Sequence, residues 1–501
     1  MFPEPIPIST QLNTPAEALD ALLSLRNAVI KEGYARFEGW RSQITRRSFL
    51  ISGLNFAHYL ALRRRDLRSL QPVLSMWGLS SLGRIEAHVQ SNLDAVLVSL
   101  ADIADVDEPT LPKRPRPHQF MRGDRQLEAN TTELFGGRDN GRRVRVMVTL
   151  PSEASQQYNL VRDLMKHGMD IARINCAHDD AHAWEAMVAY VRRAERETGR
   201  TCKVAMDLGG PKSRTADLRK PAAGVLYIGD TVLMTAEKPP KKHGETAALR
   251  CTLTDALAHL KIGEAVYFDD GRIGGVVEHL RPEGVVIRIT RARVGGEKLK
   301  EDKGVNFPDT DLRLDPLTPK DLQDLDFVAL HADIVNYSFV QSADDVTRLQ
   351  NELNARTGGR TLGLVAKIET ARAVRALPEI IVRAAGVQPF GVMIARGDLA
   401  VEIGWERLAE IQEEILWLCE AAHVPVIWAT QVLEGLAKEG LPSRAEMTDA
   451  AMSERAECVM LNKGPYILDA LDILDGVLRR MQTHQIKKSS RLRALRSWAN
   501  S

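Results

Sequence analysis

The sequence predicts an α/β protein: a (β/α)8 barrel with a small inserted β-barrel lid domain and an all-α domain at the N-terminus. Three observations lead to this fold class. Eight short apolar runs alternate with helix-length segments, one connection between two runs is abnormally long, and the first part of the chain has apolar residues every three or four positions. Alternating strands and helices imply parallel strands with right-handed crossovers, and eight such units close most naturally as a barrel.

The first 104 residues are expected to form the helical domain. The segments ALDALLSLRNAVIKEG, ISGLNFAHYLALRRR and IEAHVQSNLDAVLVSLADI have the apolar spacing of amphipathic helices. Arg63, Arg64, Arg65 and Arg68 form a basic run. We interpret this run as a solvated helix face, with a phosphate or an acidic partner as the alternative. Residues 105–142 are rich in proline, glycine and charge, so we expect a linker that is partly ordered at most.

From residue 143 the apolar runs predict the barrel strands. The barrel would occupy 143–216 and 305–485, and 486–501 would be a C-terminal tail. Catalytic groups of such barrels lie at the carboxyl ends of the strands, so polar residues there are the candidates for a site. The strands are expected at about 143–150, 170–176, 202–208, 333–339, 362–369, 391–396, 424–430 and 457–462.

The connection between the third and fourth strands is far longer than a crossover needs. Within it, VLYIGDTVLMTAE, EAVYFDDGRIGGVVEHL and GVVIRITRARVGG alternate apolar and polar residues around DDG and GG turns, which is the pattern of antiparallel hairpins. We therefore expect an inserted β domain at 217–304. Above a barrel mouth, such a domain can serve as a lid over substrate.

Composition excludes several classes of partner and compartment. The 67 basic and 66 acidic residues balance, so no overall field attracts nucleic acid or a membrane surface. Five scattered cysteines without a C-x-x-C pair argue against a disulfide framework and a zinc knuckle, and they fit a reducing cytoplasm. The N-terminus lacks a signal pattern, and no apolar run approaches the roughly 20 residues of a membrane span.

Two strand ends combine acids with a lysine. Lys367 and Glu369 are two residues apart in an extended run, so their side chains point the same way. The next run breaks into Arg396, Gly397 and Asp398, where the glycine permits a tight turn. Two carboxylates beside a lysine, with water and substrate phosphate as further ligands, are a typical magnesium site for phosphoryl transfer. The alternative is that these charges merely close two buried strands.

The other strand ends add cations and small donors. Arg173 and Asn175 share a face of the second strand, and the guanidinium suits a phosphate. The third strand ends at Asp207 and continues into GGPKSRT, which contains Lys212 and Arg214 but lacks the P-loop spacing. The seventh strand ends in WATQ, with Thr430 as a hydroxyl donor. Together these groups suit an anionic, metal-bound substrate.

The segment HDDAH, with His178 and His182, superficially resembles a metal-binding cluster. It lacks the HExxH arrangement and leads into a helical pattern. We therefore expect Asp179 or Asp180 to cap the following helix.

Seven segments match one enzyme family in order along the chain: MDIARINCAH, MDLGGPKSRT, YFDDGRI, KGVNFP, VAKIET, MIARGDLAVEI and WATQVLEGLAKEGLPSRAEMTDAA. From about residue 143 to 481 the chain resembles pyruvate kinase, whose corresponding segments include ARLNFSHG, LDTKGPEIRTG, SKIEN and MVARGDLGVEI. The resemblance implies a (β/α)8 barrel with a β lid. It also implies the glycolytic transfer of a phosphoryl group from phosphoenolpyruvate to ADP, giving pyruvate and ATP.

The resemblance also implies roles for individual residues. Glu369 and Asp398 would bind Mg²⁺ or Mn²⁺, while Lys367 would bind the transferring phosphoryl group and stabilise the enolate. Arg173 would take phosphate charge. The backbone of Gly397 and Asp398, together with Thr430 as a third catalytic residue, would hold the pyruvate carboxylate. The nucleotide would face a group on neighbouring strand ends: Asn175, His178 and Arg214.

Departures from the family pattern concern the potassium site. Asn175 and Asp207 would belong to it, but Cys176 and Ala177 replace residues of the family's NFSHG, so a hydroxyl is lost. Lys212 replaces the family's glutamate, as in members that work without potassium, and could supply the positive charge itself. We therefore expect no potassium requirement.

Two further departures favour a second reading. The family's LSGETA after the eighth strand is LNKGPY here, so the serine and glutamate proposed to relay a proton are absent, and Gln341 replaces an arginine after the fourth strand. The alternative to the enzyme is a catalytically weakened paralogue that senses phosphoenolpyruvate or nucleotide. A third reading is a barrel that makes or breaks C–C bonds beside a magnesium-bound enolate, against which the lid and Arg214 count.

Both ends of the sequence are expected to differ from the family architecture. The sequence stops near the eighth helix, so we expect neither the family's C-terminal regulatory domain nor activation by sugar phosphates through it. The helical domain would be an addition to the family architecture. It could take over assembly or regulation, and a homo-oligomer is expected.

Overall fold

The structure is a computed structural model that describes residues 6–7, 14–106, 111–138, 141–312 and 314–491. Within these ranges, no helix has both the length and the apolar character that crossing a bilayer requires.

Eight parallel strands form the predicted closed barrel, and each pairs with its neighbours in chain order. Most residues in these strands are buried because the barrel interior covers one face and the surrounding helices cover the other. The prediction of eight strands is confirmed. Their bounds are Arg145–Thr149, Ile171–Asn175, Lys203–Asp207, Ile334–Tyr337, Gly363–Ile368, Phe390–Ala395, Val426–Ala429 and Cys458–Leu461.

Amphipathic helices follow the strands and pack their apolar faces on the barrel. Side-chain caps start several of them: Thr318, Ser342 and Thr370 each accept a hydrogen bond from the first turn. Asp180 likewise caps its helix, as predicted for HDDAH, by accepting from Ala183 N at 3.0 Å. The helices are Tyr158–Lys166, Ala181–Thr198, Pro319–His331, Ala343–Arg356, Ala371–Ala385, Arg396–Ile403, Trp405–Ala421, Glu434–Glu439, Arg444–Met452 and Ile467–Met481.

The long connection after the third barrel strand folds as a seven-stranded, barrel-like sheet with its own apolar core. Most pairs are antiparallel, as predicted, but Thr231–Thr235 runs parallel to Ala247–Cys251, so the expectation of hairpins alone is wrong here. A short helix, Thr254–Leu257, follows this pair. In spatial order the strands are Val305–Asn306, Ala265–Phe268, Ile273–Arg281, Gly284–Arg291, Thr231–Thr235, Ala247–Cys251 and Thr215–Arg219.

Helices also form the N-terminal part, as predicted. Thr14 caps the first of them in a reciprocal arrangement with Glu17. Buried residues of these helices, such as Leu22 and Phe56, belong to the same continuous core as the barrel's outer layer. The five helices are α1 (Pro15–Arg41), α2 (Phe49–Leu62), α3 (Leu70–Met76), α4 (Val89–Ala104) and α5 (Pro117–Phe135).

The prediction that 105–142 is a linker, partly ordered at most, is wrong for Pro117–Phe135, which forms helix α5. Pro117 occupies the first turn, where its missing N–H costs nothing, and the Gln119 side chain accepts from Arg116 N at 2.7 Å. Small and polar residues, including Gly123 and Thr131, make up much of the buried face. Because few of these positions are apolar, hydrophobic spacing gave little sign of the helix.

The end of α5 closes the bottom of the barrel. Leu134 and Phe135 pack with inward-facing strand residues such as Met147, Val365 and Met393. Gly391 makes room for this plug, since a Cβ there would lie 2.7 Å from Leu134 Cδ2. The end of the barrel opposite the predicted site is therefore filled by the helical domain.

His423 lies between the barrel helix Trp405–Ala421 and the seventh strand. It joins the helical domain to the barrel. Its ring nitrogens lie 2.9 Å from Ser52 Oγ and 3.0 Å from Ala87 O. Its carbonyl accepts a hydrogen bond from Asn130 Nδ2 at 2.6 Å. Burial lowers the pKa of His423 to about 4, so this ring is neutral at physiological pH. The joint therefore depends on an uncharged imidazole.

The basic run that directly follows α2 has partners within the chain. Arg65 is largely buried and makes a two-point ion pair with Glu32, while Arg68 pairs with Asp66. Arg63 stacks over the Trp417 ring at 4.8 Å. The interpretation as a solvated face is therefore wrong for Arg65, and these partners leave little free charge for a phosphate.

A short hairpin forms where a C-terminal tail was expected. Gln485–Ile486 pairs with Ser489–Ser490, and Lys488 reaches Glu86 of the helical domain. The rest of the predicted tail, 492–501, lies outside the described residues.

Replacing Gly123 by alanine should destabilise the protein although alanine is the better helix former. A Cβ at this position would lie 2.0 Å from Ala87 O and 2.7 Å from His423 Nε2, so α5 would have to move off the joint. We expect a loss of about 2 kcal/mol in the free energy of unfolding, measured by urea denaturation. Gly476→Ala is the matched control, since nothing lies within 4 Å of a Cβ there. Equal stability of the two variants would contradict the docking argument.

Stability should fall with acidification because His423 protonates more readily in the unfolded chain. Its pKa is about 4 when folded against an ordinary 6.5, so the stabilisation is complete above pH 6.5 and is lost progressively towards pH 4. Between pH 7.5 and 5.5 this residue should account for a loss of roughly 1.4 kcal/mol. Urea titrations at both pH values test this. The loss should shrink in His423→Gln, and an unchanged loss would rule out this residue as its source.

Candidate active site

The carboxyl ends of the barrel strands bring the predicted polar residues to one mouth. Arg173 and Asn175 end the second strand, and Asn175 stands opposite Asp207 in the register of the third. Lys367 lies in the fifth strand with Glu369 directly after it. Residues from separate parts of the sequence thus share one layer because all these strands run in the same direction.

A two-point ion pair between Arg173 and Asp207 forms the floor of this mouth. The guanidinium Nε and Nη2 donate to the two Asp207 oxygens at 3.0 and 2.7 Å, and Nη1 donates to Thr149 Oγ1 at 2.8 Å. Asn336 Nδ2 also donates to Asp207, at 2.6 Å. Burial opposes both charges, but the pairing outweighs it: the pKa of Asp207 is lowered and that of Arg173 is raised.

Lys367 stands above this pair and links it to Glu369. Its ammonium donates to Ser338 Oγ at 2.8 Å and lies 3.1 Å from Glu369 Oε1 and 3.4 Å from Asp207 Oδ2. Only 13% of the side chain is exposed. The ammonium is therefore held in place at the mouth by groups from three neighbouring strands, as a charge that contacts substrate must be.

Glu369 is a buried carboxylate whose second oxygen accepts from Phe339 N at 2.6 Å. Burial raises its pKa, Lys367 opposes this, and the nearby negative charge of Asp398 raises it again. Two carboxylates that disfavour each other's charge favour a cation placed near both.

The Arg396–Gly397–Asp398 turn is held against the seventh strand. The Arg396 guanidinium pairs with Asp449 and donates to the carbonyls of Ala429 and Thr430. Gly397 N donates to Thr430 Oγ1 at 3.0 Å. Helix Arg396–Ile403 starts in this turn, so the N–H groups of its first turn lie near the predicted carboxylate-binding position.

Magnesium fits the two predicted ligands in type. Glu369 and Asp398 offer carboxylate oxygens just beyond the ends of two adjacent barrel strands. No group of three or more acidic, histidine or cysteine residues able to hold a metal occurs among the described residues. Two carboxylates supplemented by water and phosphate oxygens are nevertheless a normal donor set for magnesium.

Lys212 has a different position from the one that the resemblance suggested. Its ammonium contacts Asp398, at 2.9 and 3.1 Å from the two oxygens. Asp207, the predicted potassium ligand, is instead bonded by Arg173 and Asn336. Lys212 and Asp207 therefore have different bonded partners, while Asn175 stands beside Asp207 in the register of the strands.

The predicted nucleotide residues lie on the side of the mouth near the eighth strand. Arg173, Asn175 and His178 line a cavity of about 250 Å³ that Lys463 also lines. Burial lowers the pKa of His178, and the nearby charges of Lys463 and Arg214 lower it further. The side chain of Arg214 pairs with Asp302 of the lid at 3.0 Å. The recess beside Arg173 is thus lined by charges of both signs, with Lys438 and Lys463 as well as Asp179 and Glu434.

The lid meets the barrel through the DDG hairpin. A Cβ at Gly271, where φ is +79°, would lie 3.5 Å from Val401 Cγ2. Burial raises the pKa of Asp270, with Lys212 lowering it and Asp398 raising it again. The lid therefore contributes a carboxylate to the surroundings of Lys212 and Asp398. A cleft of about 670 Å³ runs beside this hairpin between the lid and the barrel.

Sequence reasoning missed several residues that the fold adds to the mouth. Asn336 donates to Asp207 from the buried strand Ile334–Tyr337, and Ser338, the next residue after this strand, accepts from Lys367. The short apolar run gave no sign of either role. Lys303 lies 3.1 Å from Asp269 in the lid. Lys303 belongs to KGVNFP, one of the seven segments that carry the family resemblance, so the sequence did contain a sign of this residue.

Comparison with known proteins agrees with the fold. The family model described as pyruvate kinase, barrel domain, matches residues 141–466. Pyruvate kinase PKLR of Homo sapiens is 32% identical over 344 residues, covering 66% of this chain and 58% of the relative. The pyruvate kinase of Thermococcus litoralis is 30% identical over 355 residues, covering 70% of this chain and 71% of the relative.

The match is limited to part of each protein. The chain spans 58% of the length of pyruvate kinase PKLR from both Rattus norvegicus and Homo sapiens. The matched part nevertheless contains all eight barrel strands and the inserted lid. On this evidence the chain belongs to the pyruvate kinase family.

Proposed function

We propose that the chain is a pyruvate kinase-like phosphotransferase that transfers the phosphoryl group of phosphoenolpyruvate to ADP and gives pyruvate and ATP. One observation carries the proposal: Arg173, Lys367, Glu369 and Asp398 surround one mouth beneath one lid. Cations there can neutralise a transferring phosphoryl group, and the acids can hold a divalent ion. Family membership supports the same reaction class.

The reaction requires charge stabilisation more than covalent chemistry. The bond between phosphorus and the enol oxygen breaks, and phosphorus bonds to a terminal oxygen of ADP. The electron pair left on the enol oxygen forms an enolate, which takes a proton at carbon to give pyruvate. Lys367 would stabilise the enolate and the phosphoryl oxygens, and Arg173 would orient the phosphate. Magnesium held by Glu369 and Asp398 would act as a Lewis acid for these oxygens.

The remaining residues would position the two substrates. The backbone of Gly397 and Asp398 at the start of helix Arg396–Ile403 would hold the carboxylate of phosphoenolpyruvate, and the bond from Gly397 N to Thr430 fixes this turn. Asn175, His178 and Arg214 would face the phosphates of the nucleotide. All five cysteines are buried free thiols, in keeping with the proposed cytoplasmic location. A homo-oligomer remains part of the proposal.

A regulatory protein that binds phosphoenolpyruvate or nucleotide without turnover is the second candidate. Asn462 and Lys463 occupy the loop after the eighth strand, where the family's proton-relay serine and glutamate are absent. Such a protein would keep the binding groups and lose only the proton transfer to the enolate. Calorimetric binding of phosphoenolpyruvate without formation of ATP would favour this candidate.

Lys367→Met should remove activity while leaving the fold intact. The substitution deletes the ammonium that Ser338 and Glu369 position, so the rate of ATP formation from phosphoenolpyruvate and ADP should fall at least about a hundredfold. A coupled assay measures this, with the exposed Lys166→Met as the matched control. Identical traces from wild type and Lys367→Met would eliminate the enzyme reading.

Activity should not require potassium. The Asp207 oxygens already accept from Arg173 and Asn336 and lie near Lys367, which leaves little room for a monovalent cation. Assays in tetramethylammonium buffers with and without added KCl should give rates within about twofold at constant ionic strength. Activity that rises from zero with potassium would contradict this proposal.

A further inference from the structure

Lys212 contacts the carboxylate that we propose as a metal ligand. Its ammonium lies 2.9 Å from Asp398 Oδ1 and 3.1 Å from Oδ2, so it engages both oxygens. The Lys212 side chain is 27% exposed and that of Asp398 16% exposed, which places the pair mostly out of water. An ion pair in such a position is screened less than a surface pair. The ammonium thus directly occupies oxygens that a divalent ion would need.

Two other acids contribute negative charge near the same ammonium. Glu369, the second proposed metal ligand, does so from the end of the fifth barrel strand, and Asp270 does so from the lid hairpin. Lys212 therefore lies in an acidic environment made by the barrel and the lid together.

The lid connections hold Lys212 in this position. The residue lies between the third barrel strand and Thr215–Arg219, the first lid strand, and its N–H donates to Gly210 O at 2.9 Å. On the return connection, a Cβ at Gly304 would lie 3.2 Å from Lys212 Cε. Gly304, which has no side chain, therefore leaves room for the methylene groups of Lys212. Both connections between the barrel and the lid thus help to determine where this side chain lies.

We propose that Lys212 is an internal cation that competes with the divalent ion for Asp398. The inference rests on the proposed function, in which Glu369 and Asp398 bind that ion. The ammonium neutralises Asp398 in the ion-free protein, and it leaves this carboxylate when the ion binds. Lys212 then lowers the affinity for the ion and supplies the countercharge of Asp398 in its absence.

Electrostatics explain why removing Lys212 should strengthen the binding of the divalent ion. Removing one member of a partly buried ion pair normally destabilises its partner, because a carboxylate is left without a countercharge. Here a divalent cation can take the place of the ammonium on Asp398 and Glu369. Removing Lys212 should therefore make the binding free energy of the divalent ion more favourable. A residue that only supports the fold would weaken metal binding or leave it unchanged when removed.

The experiment titrates full-length protein with Mn²⁺ alone and follows free Mn²⁺ by electron paramagnetic resonance. Wild type is compared with Lys212→Met, with Lys212→Gln as a polar replacement and with Lys212→Arg as the charge-keeping control. Lys212→Met and Lys212→Gln should bind Mn²⁺ about tenfold more tightly than wild type. Lys212→Arg should stay within about threefold of wild type, because a guanidinium also pairs with a carboxylate. Near-ultraviolet circular dichroism confirms folding.

Asp398→Asn separates the inference from the proposed function. In wild-type and Lys212→Met backgrounds it should weaken Mn²⁺ binding at least about tenfold. If it does so while Lys212→Met and Lys212→Gln bind no more tightly than wild type, competition is overturned and the metal site stands. If Asp398→Asn binds Mn²⁺ as wild type does, Asp398 is not a ligand, and both the metal site and the competition are overturned.

Discussion

Neutralisation of buried charge at the strand ends is the constraint on which the site depends. Asp207 is almost fully buried, and without Arg173 its charge would cost about 3–5 kcal/mol. The two-point pairing also fixes the guanidinium, and Asp207 helps to hold Lys367. Asp207 and Glu369 thus orient Arg173 and Lys367, the two cations that the proposed reaction would use. The same contacts that compensate the buried charges also hold these side chains in position before the proposed substrate binds.

The two ends of the barrel perform different tasks. Polar residues and the lid occupy the carboxyl end, whereas Leu134 and Phe135 seal the other end with apolar contacts. This division is general for such barrels, in which chemistry and stability lie on opposite faces. Here the stabilising face is closed by helix α5, so the first helices share a core with the barrel.

Much of this architecture could be predicted from the sequence. Strands buried on both sides give continuous apolar runs, and motifs at their ends gave Lys367, Glu369 and Asp398. Helix α5 could not be found this way, because its buried positions include Gly123 and Thr131. Asn336 was missed since one polar residue in an apolar strand has no periodic signature. The position of Lys212 depends on how the lid crosses the barrel, which local sequence does not specify.

The docking of the helical domain has a consequence for the order of folding. The amides of Thr45 and Arg46 bind Gly386 O, and the Thr45 side chain contacts the same carbonyl across 341 positions of sequence. Ring nitrogens of His423 complete the joint. Synthesis runs from the N-terminus, so α1 and α2 leave the ribosome long before these partners exist. The helices made first must therefore wait, with apolar surface uncovered, until most of the barrel has been translated.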